Sequence, residues 1–217
     1  MGQKVNPVGF RLGSFVNWRS RWFFGNKKFK EYLIEDIKIR EALMDRLKLA
    51  GITKVEIERL PKSLAIALWV ARPGVVIGRG GTGIEDVKKF ILAIIKEIRG
   101  KIPTDLKIDI PVIEVKNPDI SAQLVASRIA SELERRMPQR RVVNKTMEKV
   151  MAAGALGIKV FLSGRIGGAE IARKEPYHKG SIPSQTLREV IDYAQISVLL
   201  KRGYVGVKVW IHKKEEE

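Results

Sequence analysis

The stretch Val75-Val76-Ile77-Gly78-Arg79-Gly80-Gly81-Thr82-Gly83-Ile84 constrains this chain most tightly. Four glycines in six residues allow backbone conformations that side-chain-bearing residues avoid, and let a backbone approach a phosphate closely. Two spacings overlap in it. Gly78, Gly80 and Gly83 spell GxGxxG; Gly78 and Gly81 spell GxxG, with the apolar Ile84 after it. The first spacing belongs after a buried strand. The second joins two helices. The elements on either side therefore decide what the loop does.

A net charge of +17 on 217 residues points to a polyanionic partner. The excess is distributed: residues 1–50 carry 11 basic and 5 acidic side chains, and residues 151–217 carry 11 and 7. Such a spread suits contact with a polyanion over much of the surface better than one basic tail on a neutral enzyme. With no cysteine, thiolate metal sites, disulfides and cysteine nucleophiles are excluded. No N-terminal signal is visible, Asn6 stands where a myristoylation pattern wants Ser or Thr, and the apolar run at 90–95 is too short to cross a bilayer. A cytoplasmic location is expected.

Residues 1–26 mix Arg11, Arg19 and Arg21 with Phe10, Phe15, Trp18, Trp22 and Phe23 between Gly and Pro breaks, and read as a basic arm. Such an arm can stack on bases and neutralise phosphates, or pack on its own domain. From 28 to 50 the pattern is helical, with Leu33, Ile37, Leu43, Leu47 and Ala50 as the apolar face. Alternation predicts a hairpin of strands at 52–60 and 64–71. A helix follows the glycine loop to about residue 98, then a strand at 106–115. Pro118 and Asp119 mark a boundary. Beyond it we expect helices to about 137 and from 138 to 153, then strands at 158–163, 169–174, 187–193 and 205–212. The domains expected are an arm at 1–26, residues 27–116, residues 117–214 and an acidic tail at 215–217.

The dinucleotide reading has Val75-Val76-Ile77 as a strand end and Asp105 or Asp109 as a ribose ligand. Against it stand Pro73-Gly74 directly before the loop, and Glu85 and Asp86 where a pyrophosphate needs positive potential. The other reading is an RNA-binding KH loop, which clamps about four backbone nucleotides. There Pro73 opens a short helix, Gly78 and Gly81 admit phosphates, Arg79 supplies charge, and Ile84 and Val87 fall on the buried face of the next helix. Gly80 takes a place where a second basic residue would add charge. A glycine turn without a ligand also fits the residues.

The chain resembles the family of bacterial small-subunit ribosomal protein three, the KH-domain protein of the small-subunit head. The resemblance rests on four segments: the N-terminal Met1-Gly2-Gln3-Lys4-Val5-Asn6-Pro7 with Gly9-Phe10-Arg11-Leu12-Gly13; Arg72-Pro73-Gly74 through Gly81; Leu133-Glu134-Arg135-Arg136 with Arg140-Arg141; and the run from Ser163 to Arg173 followed by Gly206-Val207-Lys208-Val209-Trp210-Ile211. It implies an α+β protein: a type II KH domain, then a second domain with two helices packed on a four-stranded sheet. Members of the family bind rRNA in the head and adjoin small-subunit proteins ten and fourteen. With proteins four and five they line the channel through which mRNA enters, where basic residues touch mRNA and help unwind it.

The resemblance carries the channel role to Arg135, Arg136, Arg140 and Arg141. Arg141, Lys145 and Lys149 recur every four residues on one helix face, with Val142, Val143, Met147 and Val150 available to a core. Arg135 and Arg136 could instead complement the negative end of the preceding helix. A further basic position of the family's cluster falls on Asn144, which puts the strength of strand separation in doubt. Lys4, Arg11, Arg19, Arg21, Arg165 and Arg173 are candidate rRNA or protein contacts; Gly164, Gly167 and Gly168 suggest a tight turn around Arg165.

No catalytic pattern emerges. His178 and His212 are far apart, and no HExxH, Walker lysine or GxSxG occurs. We expect no enzyme, cofactor or metal. A KH protein acting off the ribosome as an RNA chaperone would share the loop and the charge.

Overall fold

A computed structural model of the chain describes residues 4–13, 16–100 and 106–214. Asp105 and the terminal acids 215–217 therefore lie outside the described residues, as does Met1-Gly2. The chain forms two compact units. One is Trp18–Lys116; the other joins Asn117–Glu217 to Met1–Asn17. The residues expected to form a single arm are thus divided between the units.

The first unit contains β1 (Ser20–Arg21), α2 (Asn26–Arg46), β2 (Ile52–Arg59), β3 (Ser63–Val70), α3 (Pro73–Ile77), α4 (Thr82–Arg99), β4 (Lys107–Asp109) and β5 (Val112–Glu114). The helix α1 (Pro7–Phe10) belongs to the other unit. β2 and β3 form an antiparallel hairpin. β1 lies parallel to β2, while β4 and β5 both lie parallel to β3. The strand expected at 106–115 is broken in two because Pro111 lacks an N–H, although its carbonyl still accepts from the Leu68 N–H at 2.9 Å. Along β3, Leu64, Ile66, Leu68 and Val70 are buried and the residues between them are not, the alternation of a sheet with one covered face. Val87, Ile91, Ile94 and Ile95 of α4, Ile39 and Leu43 of α2, and Leu47 just beyond it complete this core.

Leu33 and Ile37 do not join that core; they are 42% and 44% exposed. At about 100° per residue, the face carrying Ile39 and Leu43 includes Asp36 and has Glu35 at its margin, whereas Leu33 and Ile37 point away. Both acids are buried. Arg59 donates from Nη1 to Glu35 Oε2 and from Nε to Asp36 Oδ1, each at 2.7 Å. Arg99 donates to Glu35 from Nε, and from Nη2 at 2.8 Å. The Trp22 indole donates to Asp36 Oδ2 at 2.7 Å. The hydrogen-bonded network keeps each buried charge paired.

In the second unit, α5 (Ala122–Glu134) and α6 (Gln139–Ala152) cover one face of a sheet made of β6 (Gly157–Gly164), β7 (Arg173–Gly180), β8 (Ile191–Leu200) and β9 (Gly203–His212). The strand order is β7-β6-β9-β8, antiparallel throughout. Val142, Val143, Met147 and Val150 of α6 do enter the core, with Ile158, Val160, Leu162, Val205, Val207, Val209 and Ile211 from the sheet. β7 and β8 begin about four residues later than the sequence pattern suggests. Residues 166–168 form a helical turn, where the glycines suggest a tight turn, and β7 starts only at Arg173. β7 is a sheet edge whose mostly exposed side chains carry no apolar alternation. The architecture is α+β, with two helices on a four-stranded sheet in this second unit.

Candidate nucleic-acid interface

The glycine loop joins two helices, not a strand to a helix. Val75-Val76-Ile77 lie within α3, which opens at Pro73. This removes the strand that dinucleotide binding requires. Gly78, Gly80 and Gly81 have φ of 69°, 63° and 83°, the left-handed region where glycine alone escapes strain. Gly83 serves a different purpose. A Cβ there would lie 2.4 Å from the Val76 carbonyl oxygen, so its bareness permits α3 and α4 to meet. The GxGxxG spelling therefore arises from a left-handed loop and a helix contact combined.

Around the loop, Arg79 and Gly80 are exposed, and no atom lies near the Cβ position of Gly80 or Gly81. The Thr82 hydroxyl donates to the Arg79 carbonyl at 3.0 Å and fixes the turn. The loop opens directly into α4, whose first N–H groups have no intrahelical acceptor and carry partial positive charge. A phosphate would find open backbone and the Arg79 guanidinium together, with Glu85 in the first turn of α4 offsetting the amide dipoles. Val87 is buried and Ile84 packs partly against the same core. Val75 and Ile77, 50% and 38% exposed, put apolar surface beside the loop. The sequence reading missed this pair as a potential base contact, because a short helix of unknown phase does not declare its outer face.

The second basic site is the turn between α5 and α6. Arg135 caps α5 through its backbone, and Arg136 has a φ of 61°. It is the positive-φ residue other than glycine among the described residues, held in a conformation that L side chains resist. Pro138 caps α6, and Arg140 and Arg141 stand in its first turn with no acid beside them. Cations at a helix N-terminus oppose the dipole, so helix stability does not explain them. Arg135, Arg136, Arg140, Arg141, Lys145 and Lys149 are all exposed. Arg140 also reaches the Tyr177 hydroxyl, which donates to Glu175 Oε2 at 2.6 Å. Burial and the bond to Glu175 push the Tyr177 phenol up; Arg140 opposes them. Arg141, Lys145 and Lys149 fall about 6 Å apart along the helix axis, a line of charge suited to a phosphate backbone.

The remaining candidates separate. Lys4, Arg19, Arg21, Arg165 and Arg173 are exposed. Arg21 pairs with Glu58 at 3.2 Å. Arg165 donates from Nε to the Ala169 carbonyl at 2.9 Å, and Arg202 donates to the Gly168 carbonyl at 3.0 Å, so two arginines brace the turn around Gly167 and Gly168. Arg11 is a correction: it is fully buried, and an RNA or a protein neighbour cannot reach it. Its guanidinium donates to the carbonyls of Glu189 at 2.8 Å, Pro7 at 3.1 Å and Thr186 at 2.7 Å, with longer bonds to Pro183 and Ser184. It ties α1 to the segment before β8.

Residues 38–120 match the family described as KH domain, and residues 129–211 match the family described as Ribosomal protein S3, C-terminal domain. Among similar proteins is Small ribosomal subunit protein uS3 of Finegoldia magna, 48% identical over 99% of this chain and 84% of that protein. Those of Clostridium novyi, at 45% over 99% and 94%, and Caldicellulosiruptor saccharolyticus, at 46% over 98% and 92%, are similar as well. With identity this high along nearly the full length of the chain, and a KH loop of open geometry at its centre, the chain belongs to the family of small ribosomal subunit protein uS3.

Proposed function

We propose that this protein is a structural constituent of the small ribosomal subunit that binds rRNA in the head, and that its α5–α6 turn helps line the channel through which mRNA enters. On this reading the domains are residues 27–116 and 117–214. The KH loop, Gly78 to Gly81, holds rRNA backbone. Arg135, Arg136, Arg140, Arg141, Lys145 and Lys149 touch incoming mRNA and aid its unwinding. Small-subunit proteins ten and fourteen are the neighbours, with proteins four and five at the mouth of the channel. The observation that carries the mRNA role is the placing of Arg140 and Arg141 at the positive end of α6, where they weaken the helix and remain open to solvent. Contacts of this kind neutralise phosphates without reading sequence, as a channel for every message requires.

A photoreactive nucleotide placed in mRNA ahead of the decoding site tests this reading. It is expected to crosslink to α6 in the assembled small subunit. Crosslinks that avoid 135–149 throughout the leading mRNA segment would refute the channel role, while leaving rRNA binding untouched.

A further inference from the structure

We propose that the face of the β7-β6-β9-β8 sheet opposite α5 and α6 is a second RNA site, on which unpaired bases stack against Trp210, Tyr193 and Phe161 while lysines hold the backbone. The proposal rests on the RNA-binding reading above and assigns it a separate surface. Strand register puts the residues there. His178, Lys159, Trp210 and Tyr193 are paired across the four strands, and the row two residues on runs through Phe161 and Lys208. Alternation aims these rows away from α5 and α6, whose side of the sheet takes Ile158, Val160 and Val209. A third row starts at Lys174 on β7. No Asp or Glu occupies any of the three rows.

The aromatic rings are neither core nor isolated. Trp210, Tyr193 and Phe161 are partly exposed. The Tyr193 and Trp210 ring centroids lie 5.2 Å apart at 42°, and Lys159 Nζ lies 6.0 Å from the Trp210 centroid. Rings presented on a sheet among cations are what a sequence-tolerant single-strand site needs: every base has a face to stack, and every nucleotide a phosphate to neutralise. A protein partner fits less well, since lysine is depleted in protein interfaces and these rows offer no carboxylate to a basic neighbour.

A second observation points to an anion. Lys4 stands beside Lys159; this contact first, and burial second, push the Lys159 ammonium down from its ordinary value. The Lys4 end of the chain is held by α1, which Asn6 caps through bonds to the Val8 and Gly9 N–H groups and which packs against β8. Two like charges held together are unfavourable in the free protein. A phosphate between them reverses the sign.

The test uses the full chain with Arg79→Asp and Gly80→Asp, which block the KH loop; Gly80 has open space at its Cβ position, and the strain of Asp at its left-handed φ is confined to the exposed loop. The probe is a fluorescent oligouridine of about ten nucleotides, read by anisotropy beside a duplex of the same length. Trp210→Ala and Tyr193→Ala are each expected to weaken the single strand about tenfold, with Trp210→Phe close to the parent and the duplex unchanged. Should an alanine variant melt early, Lys159→Gln with Lys208→Gln serves instead, and is expected to flatten the salt dependence. Parent-like binding by the aromatic and lysine variants overturns the proposal. If only the loop substitutions matter, the KH reading stands and this one falls. In assembled subunits, a benzophenone in place of the exposed Gln195, which pairs with Lys208, is expected to capture rRNA; capture of protein alone would overturn the site.

Discussion

Replacing Arg140 and Arg141 together by alanine should move stability and function in opposite directions. Both side chains stand in the first turn of α6 with no acidic residue there to offset them. A cation at that end costs about 0.3–1 kcal/mol at low ionic strength and less in salt. The contact of Arg140 with Tyr177 cancels part of its share. The double variant is thus expected to gain about 0.5–1 kcal/mol, a rise in Tm of about 1–4 °C. For mRNA the change is a loss. If both arginines neutralise phosphates of a single strand, the slope of log affinity against log salt falls by about 1.4, or about 0.7 for each contact. Thermal denaturation of the free protein reads the first effect. Translation through a stable mRNA hairpin by subunits carrying the variant, with an unstructured message as control, reads the second. Slower passage only through the hairpin is expected. Unchanged passage, or a Tm that drops by several degrees, refutes the assignment of these arginines to mRNA.

In the first unit, Arg59→Met leaves Asp36 buried with only the Trp22 indole as a donor, and should lower stability by about 3–5 kcal/mol in urea denaturation; a loss under about 1 kcal/mol would show that the network contributes little. Gly83→Ala drives a Cβ into the Val76 and Ile77 carbonyls, so the α3–α4 contact must open, at about 1–3 kcal/mol. RNA affinity should fall with it, and parent-like binding by Gly83→Ala would show that the loop does not depend on that contact. Glu56 gives a pH dependence. Burial alone would raise its carboxyl, but hydrogen bonds and charge from Lys54, helped by Trp69 and Arg21, hold it below the ordinary value. Its contribution is therefore complete above the unfolded value of about 4.3 and disappears as pH falls through the lowered folded one. Lys54→Met should flatten that acid limb of the stability curve, and an identical limb would exclude the pair.

What could be read from the sequence was local. The β2–β3 hairpin announces itself by alternation, and the Gly78–Gly81 loop by residues whose backbone preference is intrinsic. The turn into α6 is set by Pro138 and the exposed arginines by helical spacing. What escaped depends on distant partners. Nothing in the helical pattern marks Glu35 and Asp36 as buried, because Arg59 lies 24 residues beyond Glu35 and Arg99 lies 64. Arg11 looked like an exposed cation because its acceptors are main-chain carbonyls, which no side-chain pattern encodes. β7 was misplaced because an edge strand held by backbone pairing to β6 needs no apolar alternation.

The central claim is that this cationic, two-unit protein grips ribosomal RNA in the small subunit. Sedimentation of the tagged chain with small subunits across a salt series tests it most directly. The account predicts co-migration at low salt and release at high salt, log affinity falling linearly with log salt as counterions compete. A chain that stays at the top of the gradient at low salt, or whose association ignores salt, contradicts it.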